Sequence, residues 1–177
     1  MSRTEIRRMV TAAVCLVLCY VLPFLTGQIP QIGAALSPMH LPALLCGFLA
    51  GPWYALAVGL IAPITRSLMF GMPNLYPTAV AMSFELAAYG FFSGLLYAKL
   101  PKKLPYVYVS LVGAMILGRV VWGIVQAVLL GIGGSSFGMS AFVAGAITGA
   151  VPGMIAQIVL VPAIVMALDR AKLFPKK

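Results

Sequence analysis

The stretch MHLPALLCGFLAGPWYALAVGLIAPITRSLMF, Met39 to Phe70, decides the fold. It is almost wholly apolar over 32 residues, whereas one helix needs about 20 residues to cross a hydrocarbon core, with a range of roughly 17–25. One crossing cannot use it all. "GPW", Gly51 to Trp53, supplies the break. A proline inside a helix loses a backbone hydrogen bond and clashes with the preceding turn. The run therefore divides into a short helix, Met39 to Ala50, and a full-length one, Trp53 to Phe70. That division is the difference between five and six membrane helices.

Composition supports a membrane setting. Hydrophobic residues make up 62% of the chain and charged residues 8%, and mean hydropathy is +1.06. A soluble globular domain carries about 25% charged residues. This chain cannot cover itself with a polar surface, so it is read as one integral membrane domain over residues 1–177. A net charge of +9 would suggest nucleic acid in a soluble protein. Here it reports topology, because Lys and Arg collect on the cytoplasmic side of membrane proteins.

Working outward, a first helix runs from Met9 to Leu25. It lacks a small-residue cleavage site and is followed by further apolar segments, so it is expected to be retained rather than removed as a signal. "GMPNLYP", Gly71 to Pro77, is an uncharged loop, and a fourth helix follows from about Thr78 to Lys99. A fifth is expected from Tyr106 to Leu130 and a sixth from Ala141 to Asp169.

The charges test that count. Arg3, Arg7 and Arg8 precede the first helix. Lys99, Lys102 and Lys103 lie between the fourth and fifth, and Arg170, Lys172, Lys176 and Lys177 follow the sixth. Six crossings put all three groups on one face. The loops after the first, third and fifth helices hold no Lys or Arg. The expected fold is thus an all-α, six-transmembrane-helix bundle with both termini cytoplasmic.

Three charges remain inside apolar segments: Arg66, Glu85 and Arg119. Charges at helix centres cost about 2.5–3.5 kcal/mol on insertion scales, and such residues face the bundle interior with a partner or ligand. Arg66 falls about 6 Å and Glu85 about 12 Å from the outer helix ends, at 1.5 Å per residue. Arg119 falls near mid-membrane. One reading is a structural ion pair of Glu85 with Arg66 or Arg119. A pair leaves one arginine over, which points instead to an anionic or polar ligand.

Other side chains fit a small-molecule pocket. Tyr89 shares a helix face with Glu85. Trp122 and Gln126 continue the stripe of Arg119, and Asn74 and Tyr76 sit in the outer loop. His40, the only histidine, makes no metal site by itself. It reads as a polar residue at the pocket rim or at a helix end. Cys15, Cys19 and Cys46 have no CxxC or Cys/His spacing and read as small packing residues. On the first helix, Thr11, Ala12, Ala13, Cys15 and Cys19 are small. They either pack within the bundle or dock another membrane subunit.

Several classes lack their signatures. There is no phosphate-binding loop, so no ATP site is expected in this chain. "GSSFG", Gly134 to Gly138, matches GxSxG in letters but lies in a Gly-rich loop, without the strand–turn–helix that the motif requires. No repeated half of the kind common in complete secondary transporters is visible.

"LPALLCGFLAGPWYALAVGLIAPITRSLMFGM" and "YPTAVAMSFELAAYGFFSGLLY" together resemble the substrate-binding S components of energy-coupling factor (ECF) vitamin transporters. The resemblance implies a subunit that binds a vitamin near the outer face and has no catalytic residues or cofactor of its own. Its partners would be the lipid bilayer, a transmembrane coupling subunit and two cytoplasmic ATPases that use the ATP, with no nucleic acid. The expected location is a prokaryotic cell membrane. Two arginines suggest an anionic or strongly hydrogen-bonding cargo, pantothenate first, then riboflavin or a B6 vitamer. The resemblance also implies docking residues on the first helix. Two other readings stay open: a small intramembrane enzyme using Glu85, and a channel or structural subunit.

Overall fold

The computed structural model describes residues 2–26, 36–132, 138–146 and 150–171, and every regular element among them is helical. The loop residues 27–35, the "GSSFG" segment up to 137 and the basic tail from 172 lie outside the described residues.

Helix α1 spans Arg3–Val21, six residues earlier than the hydropathy-based start. The reason is local. The Ser2 amide donates to Glu5 Oε2 at 2.8 Å and the Glu5 amide donates to Ser2 Oγ at 3.2 Å. This capping box starts the helix in the charged segment. A 3₁₀ turn, Leu22–Thr26, follows. Helix α2, His40–Ala50, stops at Gly51, whose φ of 100° suits glycine. Pro52 then opens α3, Pro52–Phe70, where a missing N–H does no harm. The expected break therefore stands where the sequence put it.

Helix α3 ends on left-handed Gly71. A wide helical turn, Leu75–Ala79, leads into α4, Val80–Lys99, and α5 spans Leu104–Ile132. Where a sixth helix is expected, the structure describes α6, Met139–Ala146, and α7, Val151–Arg170 with Pro152 in its first turn; residues 147–149 between them lie outside the described residues.

Among the described residues, five helices are long and apolar enough to cross a membrane: α1 with its 3₁₀ extension, α3, α4 with its lead-in turn, α5 and α7. Helix α2 has 11 residues, about 16 Å at 1.5 Å each.

The packing fixes relative directions. Cys19 near the end of α1 meets Met39 at the start of α2, so these two are antiparallel. Tyr20 and Phe24 meet Thr65 and Phe70, so α1 and α3 run together. Phe48 stacks on Tyr97, and Tyr97 shares a cleft with Val165 and Asp169, so α2, α4 and α7 run the other way. Leu104 and Val107 at the start of α5 line the same cleft, which puts α5 with α1 and α3. Lys102, Lys103 and Arg170 thus gather at one end of the bundle.

Helix α4 is the axis, contacted by α2, α3 and α5. Small residues let the backbones close up. A Cβ on Gly47 would fall 2.0 Å from Ser93 Oγ and 2.3 Å from the Gly90 carbonyl oxygen; one on Gly59 would fall 2.3 Å from the Ala87 nitrogen. Ser93 Oγ donates across to the Leu44 carbonyl at 3.2 Å.

Of the helix-one residues considered for docking, Ala12, Cys15 and Cys19 are buried in the core cluster with Met39, Cys46 and Ala55. In this structure they pack their own bundle, and the three cysteines are free thiols. Thr11 is half-buried and donates to the Arg7 carbonyl at 2.8 Å, while Ala13 is exposed beside Val10, Val14 and Val17.

Candidate functional site

Glu85 and Tyr89 lie one turn apart on α4 and are 2% and 0% exposed. Helix α2 brings His40 to them, 3% exposed, and α5 brings Arg119. The Glu85 carboxylate oxygen Oε1 is 2.8 Å from Arg119 Nη1 and 3.3 Å from His40 Nε2. The Tyr89 ring packs edge-on to His40, with centroids 5.2 Å apart. The Arg119 guanidinium carbon lies 6.0 Å from the Tyr89 ring centroid. Three helices thus converge on one buried carboxylate, which meets the requirement that a buried charge be paired.

Backbone economy makes the convergence possible. Gly118 leaves room for the Tyr89 ring directly beside Arg119. From Arg119 the stripe on α5 continues through Trp122 and Gln126. Trp122 is half-buried, and its ring lies close over Gly145 of α6, where a Cβ would be 2.7 Å away. Beyond Gln126, the Leu129 carbonyl accepts from the Tyr76 hydroxyl, which brings the Leu75–Ala79 turn to the same stripe. Asn74 is exposed just before it.

Arg66 lies elsewhere. It is 2% exposed, with its guanidinium carbon 5.1 Å from the Phe24 ring and 5.2 Å from the Phe70 ring. Its Nη1 donates to the Tyr20 carbonyl at 3.4 Å. Aromatic faces and a carbonyl stabilise this cation without a carboxylate. Of the two arginines considered for Glu85, the structure pairs it with Arg119.

The site carries unused hydrogen-bonding capacity. Arg119 Nε and Nη2, the Tyr89 hydroxyl and Gln126 Oε1 are buried without a hydrogen-bond partner among the described residues. Buried polar atoms are normally satisfied, so a group of orphans beside an ion pair is suited to a polar ligand. Sequence reading missed one such residue, Gln157 of α7. It is 2% exposed, and both amide atoms are unpartnered among the described residues. An uncharged amide in an apolar run stands out less than a charge, and Gln157, unlike Gln126, has no intramembrane charge on its own helix to mark its stripe.

Glu85 is ion-paired, and the described residues contain no cluster of His, Cys, Asp or Glu able to hold a metal. Searches of curated proteins and of solved structures each found no match. A family model described as the substrate-specific component of ECF transporters matches residues 7–170, and the chain belongs to that family of membrane subunits that bind a transported substrate.

Proposed function

We propose that this chain captures a vitamin-like micronutrient from the outer side of a prokaryotic plasma membrane for an ATP-driven ECF importer. It crosses the membrane six times with both termini cytoplasmic. A transmembrane coupling subunit and two ATPases supply the energy, and the chain itself binds no ATP and catalyses nothing. The alternating helix directions, with the basic clusters gathered at one end, support this topology.

The observation that carries the reading is the buried Glu85–Arg119 pair with unpartnered polar atoms around it. Cargo binds there, against His40, Tyr89, Trp122 and Gln126, with Asn74 and Tyr76 at the entrance. The arrangement also bears on which cargo. Two free arginines would favour a carboxylate such as pantothenate. Arg66 is stacked between phenylalanines, and Arg119 is already neutralised by Glu85. A neutral, strongly hydrogen-bonding cargo such as riboflavin or a B6 vitamer fits that charge balance better.

The test is a thermal-shift screen of detergent-purified protein against a vitamin panel. A ligand that binds only the native state raises apparent stability by about 2.7 kcal/mol at 100 times Kd. A selective shift by one vitamin supports the reading. No shift from any vitamin, with none co-purifying, would sink it.

A further inference from the structure

We propose that Gln157 is a ligand-recognising residue of this same site and reads an uncharged donor–acceptor edge of the cargo, as in an amide or imide. The proposal rests on the cargo-binding reading above and adds a residue and a chemical class to it.

The argument is one of register. At the basic end of the bundle, Tyr97 of α4, Val107 of α5 and Asp169 of α7 line one cleft. Glu85 precedes Tyr97 by 12 residues and Arg119 follows Val107 by 12. Twelve residues of helix rise about 18 Å. Glu85 and Arg119 should therefore lie at one level, and their 2.8 Å contact shows that they do. Gln157 precedes Asp169 by the same 12 residues, on a helix parallel to α4. The same rise carries it to the level of the Glu85–Arg119 pair.

Its facing agrees. Met154 and Val161, three residues before and four after it, pack in the cluster that contains Tyr89, Leu44 and Leu111. Side chains at those spacings share a helix face. Gln157 therefore points into the bundle toward the Tyr89 side, within the apolar wall that α7 gives the site.

Its chemistry sets the ligand class. A glutamine amide presents one acceptor and a two-hydrogen donor side by side. Both atoms are buried without a partner among the described residues. A ligand carboxylate would satisfy only the donor and leave Oε1 orphaned. An edge with a donor beside an acceptor satisfies both.

The experiment uses purified full-length protein, the variants Gln157→Met and Gln157→Ala, and riboflavin, biotin, thiamin, pyridoxine and pantothenate as separate probes. Two quantities are read: melting temperature without vitamin, and affinity for whichever vitamin stabilises the wild type. Gln157→Met should melt, unliganded, at or above wild type, because it removes unsatisfied polar atoms at similar volume. Both variants should bind the responding vitamin at least about tenfold more weakly. An unliganded melting temperature several degrees below wild type in Gln157→Met would mark a structural amide and overturn the proposal. Unchanged affinity in both variants would overturn it while leaving the cargo-binding reading intact. If no vitamin stabilises the wild type, that reading fails and this proposal fails with it.

Discussion

The Tyr89 ring occupies the space that any side chain at position 118 would need: a Cβ on Gly118 would fall 2.0 Å from Tyr89 Cδ1. The glycine before Arg119 therefore sets how closely α5 approaches α4, and with it the reach of Arg119 to Glu85. Gly118→Ala should cost about 1–3 kcal/mol through overpacking. It should also weaken cargo binding, since the ring and the guanidinium move together. Detergent melting curves with and without vitamin check both parts. Unchanged binding would show that Arg119 does not depend on this contact.

The ion pair makes a second prediction. Removing one partner of a buried pair costs about 3–5 kcal/mol, whereas replacing both with apolar groups can be neutral. Arg119→Met and Glu85→Leu should each melt well below wild type. The double variant should recover much of the stability and still fail to bind cargo. If the double variant binds as the wild type does, the pair is a helix tie only.

Arg66 should behave differently. Arg66→Ala removes a cation stacked between Phe24 and Phe70 and bonded to the Tyr20 carbonyl. It should lower stability by about 2 kcal/mol or more, the scale of a desolvated cation–π contact, and change vitamin affinity less than twofold by titration calorimetry. A large affinity loss would tie the α1–α3 end to the cargo after all.

Membrane sidedness can be read with thiol labels, because all three native cysteines are buried. Lys103→Cys and Asn74→Cys place single exposed thiols at opposite ends of the bundle. In intact cells an impermeant maleimide should label position 74 and spare position 103. The reverse pattern, or labelling of both, would contradict six crossings with cytoplasmic termini.

Much of this fold was legible because it rests on strong local signals. Gly51 and Pro52 mark a helix end and a helix start in adjacent positions, and basic residues avoid every second loop. The start of α7 at Val151 was not legible, since Pro152 falls inside the one long apolar helix expected there. The same contrast holds at the site. Glu85, Tyr89 and Arg119 stood out as polar groups in apolar runs, and their meeting is now seen. Arg66 stood out for the same reason, yet its partners are aromatic rings distributed across two segments, which no spacing rule connects. Gln157 needed the helix register, because only the alignment of α4, α5 and α7 gives a lone amide a level. The small residues of α1 shared one composition but face two ways, and only burial separates Cys15 from Ala13.

Helix α4 is held on three sides, by α2 and α3 through backbone contact at Gly47 and Gly59 and by α5 around Gly118. The residues that would recognise cargo are consequently preorganised, and capture spends little of its free energy on ordering them. Helix α6 is held differently: it is an eight-residue helix whose main contact is with α5 and whose Gly145 lies against Trp122. Substitutions on α6 can therefore be made without disturbing the backbone contacts that fix α4.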